Sequence, residues 1–287
     1  MIVVTGATGN VGRPLVRALT EAGEPVTAVS RHAPDPGIKH HQTDKHHQAG
    51  QHHQVGQHHR ADLAEPDTLK PALDGADALF LFTFGDRPRE IIDEARAGGV
   101  RRVVLLSSLG AGTRPDRYRP FVMFEAAVRE SGLDWTILRP GGFASNTLGW
   151  AQRVRAERTV AAPFAEVGLP FIDPADIAEV AAAVLRQDGY AGETLELTGP
   201  APVSPRQQAA AIGAALSEPV RFVEQTRAEA RAQLVQFMPE PVADVTLDIY
   251  GAPTAAEQRV SPDVERVLRR TPATFAAWAA RNVAAFR

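Results

Sequence analysis

Three glycines at every third position, Gly6, Gly9 and Gly12, punctuate the run Thr5-Gly6-Ala7-Thr8-Gly9-Asn10-Val11-Gly12. A run of this kind can hold a diphosphate. Gly6 permits a tight turn, Gly9 lets the backbone approach a pyrophosphate with no Cβ in the way, and Gly12 lets the following helix pack close. Thr8, Asn10 and Val11 complete the cradle, and the helix N-terminus behind them offers free amides to the phosphates. A phosphate loop of the ATPase kind needs Gly-Lys-Ser/Thr at its end, whereas this chain has Gly12-Arg13-Pro14, so the ligand expected is a dinucleotide.

Further along, Ser30-Arg31 closes a β-rich run with no carboxylate. An NAD-specific site places Asp or Glu there to accept from the ribose 2'-hydroxyl. A hydroxyl with a guanidinium suits a 2'-phosphate instead, so NADP(H) is favoured over NAD(H). The competing reading of Arg31 is a solvated loop arginine. Asp62 stands where a third strand should end, placed either to accept from an adenine amino group or to cap the turn before Pro66.

All nine histidines lie between His32 and His59, and four His-His pairs recur at a period of six from His40 to His59. Paired imidazoles could capture Zn, Ni or Cu. The pattern also fits a repeat expansion in a surface loop, because Gly, Gln and Thr keep it solvated and nothing fixes a ligand geometry. The second reading is preferred, no metal site is assigned, and residues 39–59 are expected to be the least ordered part of the chain.

The elements that must position these residues follow from periodicity. Met1 to Val4 reads as a strand and Leu15, Val16 and Leu19 mark the helix behind the glycine turn. Pro25 to Ser30 is a second strand, and the third is weak because histidines stand where β-branched residues would be expected. A helix from Pro66 through Leu73, a strand Asp77 to Phe82, a helix Arg87 to Ala97, a strand Arg102 to Ser107, a helix Phe121 to Ser131 and a strand Asp134 to Leu138 follow. This alternation predicts an α/β fold, a Rossmann-type doubly wound parallel sheet with ligands at the strand carboxyl ends. Thr83, Ser107, Ser108 and the loop Pro140-Gly141-Gly142-Phe143 should line the cleft. Residues 1–150 form the expected dinucleotide-binding domain. Residues 151–287 form a smaller substrate-side lobe with an Ala-rich helix Asp176 to Arg186, a strand Thr194 to Thr198 and four later helical stretches. Asp173 and Asp176 read as N-caps around Pro174.

Composition limits the alternatives. With 287 residues, 44% of them hydrophobic, the chain can bury a large core. A net charge of -3 provides no global basic field, which disfavours nucleic acid or an anionic membrane as partner. No cysteine is present, so disulfides, thiolate metal sites and a cysteine nucleophile are excluded. No basic region precedes an apolar segment and no apolar run reaches membrane-spanning length, so a cytoplasmic protein is expected.

With these residues placed, the sequence resembles the NmrA-like group of atypical short-chain dehydrogenase/reductases. The resemblance rests on TGATGNVG, on Ala61-Asp62-Leu63, on SGLDWTILRPGGF from Ser131 to Phe143, on DPADIAEVA from Asp173 to Ala181 and on the Leu-Thr-Gly-Pro turn at Leu197 to Pro200. It implies NADP(H) along Gly6 to Gly12, Arg31 near the 2'-phosphate, Thr83 near the nicotinamide ribose and Pro140 to Phe143 beside the nicotinamide. The group includes quinone and azo-dye reductases, and regulators that bind the cofactor without known turnover.

Two features depart from the pattern. The His repeat occupies a connection that is normally short. Typical short-chain dehydrogenases also use a tyrosine activated by a lysine four residues later. Here Tyr118, Tyr190 and Tyr250 are followed at that spacing by Val122, Thr194 and Thr254, and the three lysines, Lys39, Lys45 and Lys70, all lie in the first quarter of the chain. The sequence therefore leaves the catalytic residues unassigned. It favours hydride transfer to a small conjugated acceptor, quinone-like or azo, that takes its proton from solvent, over a pocket of Phe82, Phe84 and Phe143. Tyr118 is the one acid expected nearby. The rival from another class is an NADP(H)-sensing regulator with a protein partner, and a metal enzyme built on the histidines ranks last. Oligomeric state is left open.

Overall fold

A computed structural model describes residues 1–31 and 57–287. The His repeat up to His53, and the order expected of it, lie outside the described residues. The chain runs β1 (Ile2–Thr5), α1 (Gly12–Glu21), β2 (Val26–Ser30), β3 (His58–Arg60), a 3-10 turn (Pro66–Leu69), α2 (Lys70–Leu73), β4 (Ala78–Phe82), α3 (Pro88–Ala97) and β5 (Arg102–Leu106). It continues through α4 (Leu109–Thr113), α5 (Arg119–Arg129), β6 (Asp134–Pro140), a 3-10 turn (Ala144–Trp150), α6 (Ala151–Glu157), β7 (Thr159–Ala162), α7 (Pro174–Arg186) and β8 (Glu193–Leu197). The last stretch holds α8 (Pro205–Leu216), β9 (Arg221–Glu224), α9 (Arg227–Leu234), α10 (Glu240–Gly251), α11 (Ala255–Gln258), α12 (Asp263–Leu268), α13 (Phe275–Arg281) and a 3-10 turn (Val283–Phe286).

Seven strands form one sheet in the order β3-β2-β1-β4-β5-β6-β8, the doubly wound order predicted from the alternation of elements. β1 pairs in parallel with β2 on one side and β4 on the other, so the reversal of strand order falls between β1 and β4. Ligands of such sheets bind outside the carboxyl ends of the strands at that reversal. All four residues of β1 are buried, as a central parallel strand covered on both faces requires. Thr5 extends the β1–β4 ladder with its side chain. Its Oγ1 donates to Phe80 O at 3.0 Å and accepts from Phe82 N at 2.8 Å.

The chain divides into two compact units, Met1–Ser107 with Pro120–Ile137 and Ala181–Thr194, and Ser108–Arg119 with Leu138–Val180 and Leu195–Arg287. The first has a core of β-strand and helix side chains that includes Val3, Leu79, Leu105, Phe124 and Ile137. The second packs Val154, Val160, Ile212, Phe275, Trp278 and Phe286 around α6, β7, α8 and α13.

The third strand is as short as its weak signal suggested: His58, His59 and Arg60 pair in parallel with Ala28, Val29 and Ser30. Several local expectations need correction. Where four helical stretches were expected after the last strand of the sheet, there are six α-helices. The two-stranded sheet β7-β9 and the short α4 were not foreseen, because runs of four or five residues carry too little periodicity. Asp173 does cap α7, its Oδ1 accepting from Ala175 N at 2.9 Å. Asp176 does not. Its carboxylate accepts instead from Arg270 Nη2 at 2.6 Å and from Ala273 N at 2.7 Å, which tethers the segment before α13.

Candidate functional site

The first unit builds a phosphate-sized cradle from the turn that leaves β1. Gly6 holds a φ of +64°, a conformation that side chains avoid, and Gly9 N donates to Gly6 O at 2.9 Å to close the turn. A Cβ on Gly12 would sit 2.1 Å from Gly6 O and 2.8 Å from Ala7 Cα, so only glycine lets α1 come this close to the turn. Thr8, Gly9 and Asn10 are exposed while Val11 is buried. Val11 provides no side-chain cap for α1; within the first turn Arg13 N donates to Gly9 O at 3.1 Å and Pro14 has no N–H to offer.

At the carboxyl end of β2 the two residues singled out from sequence have different fates. Ser30 is buried and its Oγ lies 2.8 Å from His58 Nε2, so its hydroxyl is engaged within the protein. Arg31 is exposed, and its guanidinium carbon stands 4.7 Å from the centroid of the Phe84 ring. That stacking gives the cation a fixed place at the strand end. Asp62 follows β3, and its Oδ1 accepts from Ala64 N at 3.0 Å, the turn-capping alternative.

At the ends of β4 and β5, Phe82 is 41% exposed and lies beside Gly6. Thr83 donates its hydroxyl to Leu106 O at 2.8 Å. Ser107 is buried and donates to Glu125 Oε1 at 2.6 Å, and Glu125 in turn accepts from Arg129 Nη2 at 3.0 Å. Glu125 escaped the sequence reading. It sits on an amphipathic helix, where a carboxylate ordinarily faces water.

The second unit encloses a cavity of about 570 Å³, within the range that accommodates small organic ligands. Tyr118, Trp150, Phe171, Phe237 and Tyr250 supply its aromatic wall, with Pro140, Gly141, Gly142 and Ser108 also lining it. Phe82, Phe84 and Phe143, the aromatics expected from sequence, do not. Close packing fixes the wall. A Cβ on Gly110 would lie 2.3 Å from the Tyr118 ring, and one on Gly142 would lie 2.8 Å from the Phe171 ring. Phe171 and Tyr250 meet edge to face with centroids 6.0 Å apart.

Both tyrosines of the cavity are held protonated. Burial raises the Tyr118 hydroxyl above its ordinary value, with Tyr250 and Glu257 adding to the shift, and Arg114 and a hydrogen bond with Ser108 only partly oppose it. Burial likewise raises Tyr250, against a hydrogen bond with Asn146. Burial alone would also raise the one carboxyl lining the cavity, Glu257. Hydrogen bonds from Arg114, Thr254 N–H and Thr113 outweigh it and keep Glu257 below the ordinary value of 4.5. Arg114 grips it with Nε at 2.7 Å and Nη2 at 2.9 Å. A signal for Glu257 existed in the sequence, since Thr254 and Glu257 have the spacing of a helix-capping box. Its second partnership with Arg114, 143 residues away, had none.

Residues 6–188 match the NAD(P)H-binding family. A (4-alkanoyl-5-oxo-2,5-dihydrofuran-3-yl)methyl phosphate reductase from Streptomyces griseus is 36% identical across 100% of this chain and 99% of its own length. An NAD(P)H azoreductase from Xenophilus azovorans is 34% identical, with the same coverage of 100% and 99%. An NADPH-dependent quinone oxidoreductase from Escherichia coli, solved with NADPH, overlays with a TM-score of 0.77 at 23% identity, over 98% of this chain and 99% of that one. The negative transcriptional regulator NmrA, solved with NADP, overlays with a TM-score of 0.73 at 18% identity, over 97% and 94%.

Proposed function

We propose, from the premise that this chain belongs to the NAD(P)H-binding family, that it is an NADPH-dependent reductase of a quinone-like, azo or otherwise conjugated acceptor. One observation carries the reading: a glycine cradle fit for a dinucleotide occurs in the same chain as an aromatic cavity whose tyrosines are not activated as acids. Reductase names on relatives at 36% and 34% identity support it.

The residues fit the cofactor. The close approach of α1 to the glycine turn that Gly12 permits, the exposed Thr8–Asn10 turn and the absence of a side-chain cap on α1 suit a pyrophosphate, with Gly6, Gly9 and Val11 shaping its path. Arg31 would take the 2'-phosphate, since no carboxylate closes β2 and Ser30 is already bonded to His58. Thr83 and Ser107, at the ends of β4 and β5, are the cleft residues proposed for the ribose side. Asp62 is the residue proposed for the adenine edge. Pro140, Gly141 and Phe143 would flank the nicotinamide.

NADPH, when bound, supplies a hydride from its dihydronicotinamide. The protein's own part is to orient the acceptor. A conjugated acceptor that gains a hydride becomes a delocalised anion, which takes its proton from solvent, so the chain needs no strong acid. Tyr118, raised rather than lowered by its surroundings and lacking a lysine, matches that economy.

The test is NADPH oxidation by purified protein against a panel of quinones and an azo dye, read as absorbance loss at 340 nm, a standard nicotinamide wavelength. Turnover proportional to enzyme supports the reductase. Tight NADPH binding with no turnover on any acceptor would replace it with a cofactor-sensing regulator.

A further inference from the structure

Helix α9, in the second unit, turns one of its faces to the cavity. Ala230, Gln233, Leu234 and Phe237 recur at the spacing of a single helical face, and all four line the cavity together with Met238. Ala230 is buried, Leu234 and Met238 are half-buried, and Phe237 is 83% exposed. Phe237 lies past the end of α9, yet the chain keeps turning there. Val235 N donates to Arg231 O at 3.1 Å, and Phe237 N and Met238 N both donate to Leu234 O, at 3.0 and 3.1 Å.

Ion pairs hold this stripe in place. Arg231 donates to Asp244 at 2.7 and 3.2 Å and to Glu240 at 3.0 Å, and Arg227 donates to Asp248 at 2.6 Å, so α9 is clamped to α10. A single exposed apolar side chain is ordinary on a protein surface. One that continues a helical stripe along a cavity, on a clamped pair of helices, marks the place of an apolar ligand group. Pro140 and Gly141, proposed above to flank the nicotinamide, line the same cavity, so the ligand that reaches Phe237 is the acceptor. A volume of about 570 Å³ suits a drug-sized molecule, more than a lone conjugated ring fills.

We propose that Leu234, Phe237 and Met238 form an apolar subsite at the rim of the cavity, and that it selects acceptors whose conjugated head carries an apolar substituent, with Phe237 covering that substituent. The proposal deepens the reductase reading and rests on it. Because Phe237 is exposed in the empty protein, it serves affinity and not folding, so its replacement should change the choice of acceptor and leave the melting temperature alone.

The experiment uses 2-methyl- and 2-hexyl-1,4-naphthoquinone, which share a redox head and differ only in chain length. Full-length wild type is compared with Phe237→Ser, with the conservative Phe237→Leu and with Val242→Ser, a half-exposed apolar residue of α10 that does not line the cavity. Each protein is assayed for NADPH oxidation, for quinone binding by equilibrium dialysis and for thermal unfolding. Wild type should favour the hexyl quinone in kcat/KM by at least about tenfold, the burial of about two methylenes. Phe237→Ser should cut that preference below about threefold with Tm unchanged; Phe237→Leu should retain most of it, and Val242→Ser all of it. Equal use of the two quinones by wild type, or an undiminished preference in folded Phe237→Ser, overturns the proposal. A lower Tm in Phe237→Ser shows that the ring packs into the fold and overturns it equally, as does an equal loss of preference in Val242→Ser. If wild type turns over neither quinone, the reductase reading fails separately. Dialysis with the two quinones then still decides whether Phe237 covers an apolar substituent.

Discussion

Replacing Gly9 with alanine separates cofactor binding from folding. A Cβ there would touch only Gly6 O, at 3.2 Å, a contact relieved by a shift of a few tenths of an ångström. Gly9 is exposed, and its φ lies outside the left-handed region that alanine avoids. The variant should therefore fold with a stability within about 1 kcal/mol of wild type, the lost freedom of the unfolded chain offsetting the tight contact. The added methyl nonetheless stands where the backbone must meet a pyrophosphate. Loss of one charge-assisted hydrogen bond costs about 1.5–3 kcal/mol, or roughly 10- to 150-fold in the Kd for NADPH. Gly12→Ala makes the contrast, because its Cβ would meet Gly6 O at 2.1 Å and Gly6 C at 2.7 Å, so the backbone must move and both stability and affinity fall. Calorimetric titration with NADPH beside thermal melts reads both quantities. A folded Gly9→Ala protein that binds NADPH within about threefold of wild type would refute the placement of the pyrophosphate on this turn, since threefold is under 1 kcal/mol.

Arg31→Asp should weaken NADPH by about 10- to 150-fold, one charge-assisted phosphate contact, and strengthen NADH by comparison; equal losses for both cofactors in a calorimetric titration would remove Arg31 from the 2'-phosphate. Tyr118→Phe should change kcat by less than about threefold, well below the hundredfold or more of a true general acid, and a steady-state assay with unchanged NADPH affinity checks it. Arg114→Ala should destabilise the protein by about 3–5 kcal/mol, because it strands Glu257, whose side chain is only 4% exposed; chemical denaturation measures this, and a loss under about 1 kcal/mol would count against it. The folded-state Glu257 carboxyl is lowered below 4.5. Its contribution to stability is thus present above pH 4.5 and lost as pH falls through the folded value. Glu257→Gln should flatten the acid limb of a Tm-against-pH series, and an unaltered limb would assign it to other groups.

Whatever depended on local spacing was legible in the chain. The glycine turn, the apolar strands β1, β4 and β5 and the helix seam through Leu15 and Leu19 are written in neighbouring residues, and the structure keeps all of them. The third strand, read as weak, is three residues long, and its pairing with β2 is decided by position in the sheet rather than by the intrinsic preference of His58 and His59. The cavity was legible only in part, through Ser108, Tyr118 and Pro140 to Gly142. Its wall draws on α4, β7, α8, α9 and α10, elements too short or too weakly periodic to be ordered in space from sequence. Gln208 illustrates the limit. A glutamine in an Ala-rich helix reads as a solvated residue, and only the packing of α8 shows it to be buried with an unpaired amide.

The missing tyrosine-lysine pair and the buried tyrosines point the same way. An enzyme that must protonate an isolated ketone oxygen needs an acid with a depressed pKa beside the developing charge. In this chain the two cavity tyrosines are pushed in the opposite sense by burial, and Arg114, the cation that partly offsets the shift of Tyr118, is committed to Glu257. The wall therefore offers an incoming oxygen no activated acid. Such a site stabilises charge on an acceptor only when the acceptor spreads that charge over its own conjugated frame. The demand placed on the substrate, delocalisation of the charge it gains, thus follows from what the wall lacks.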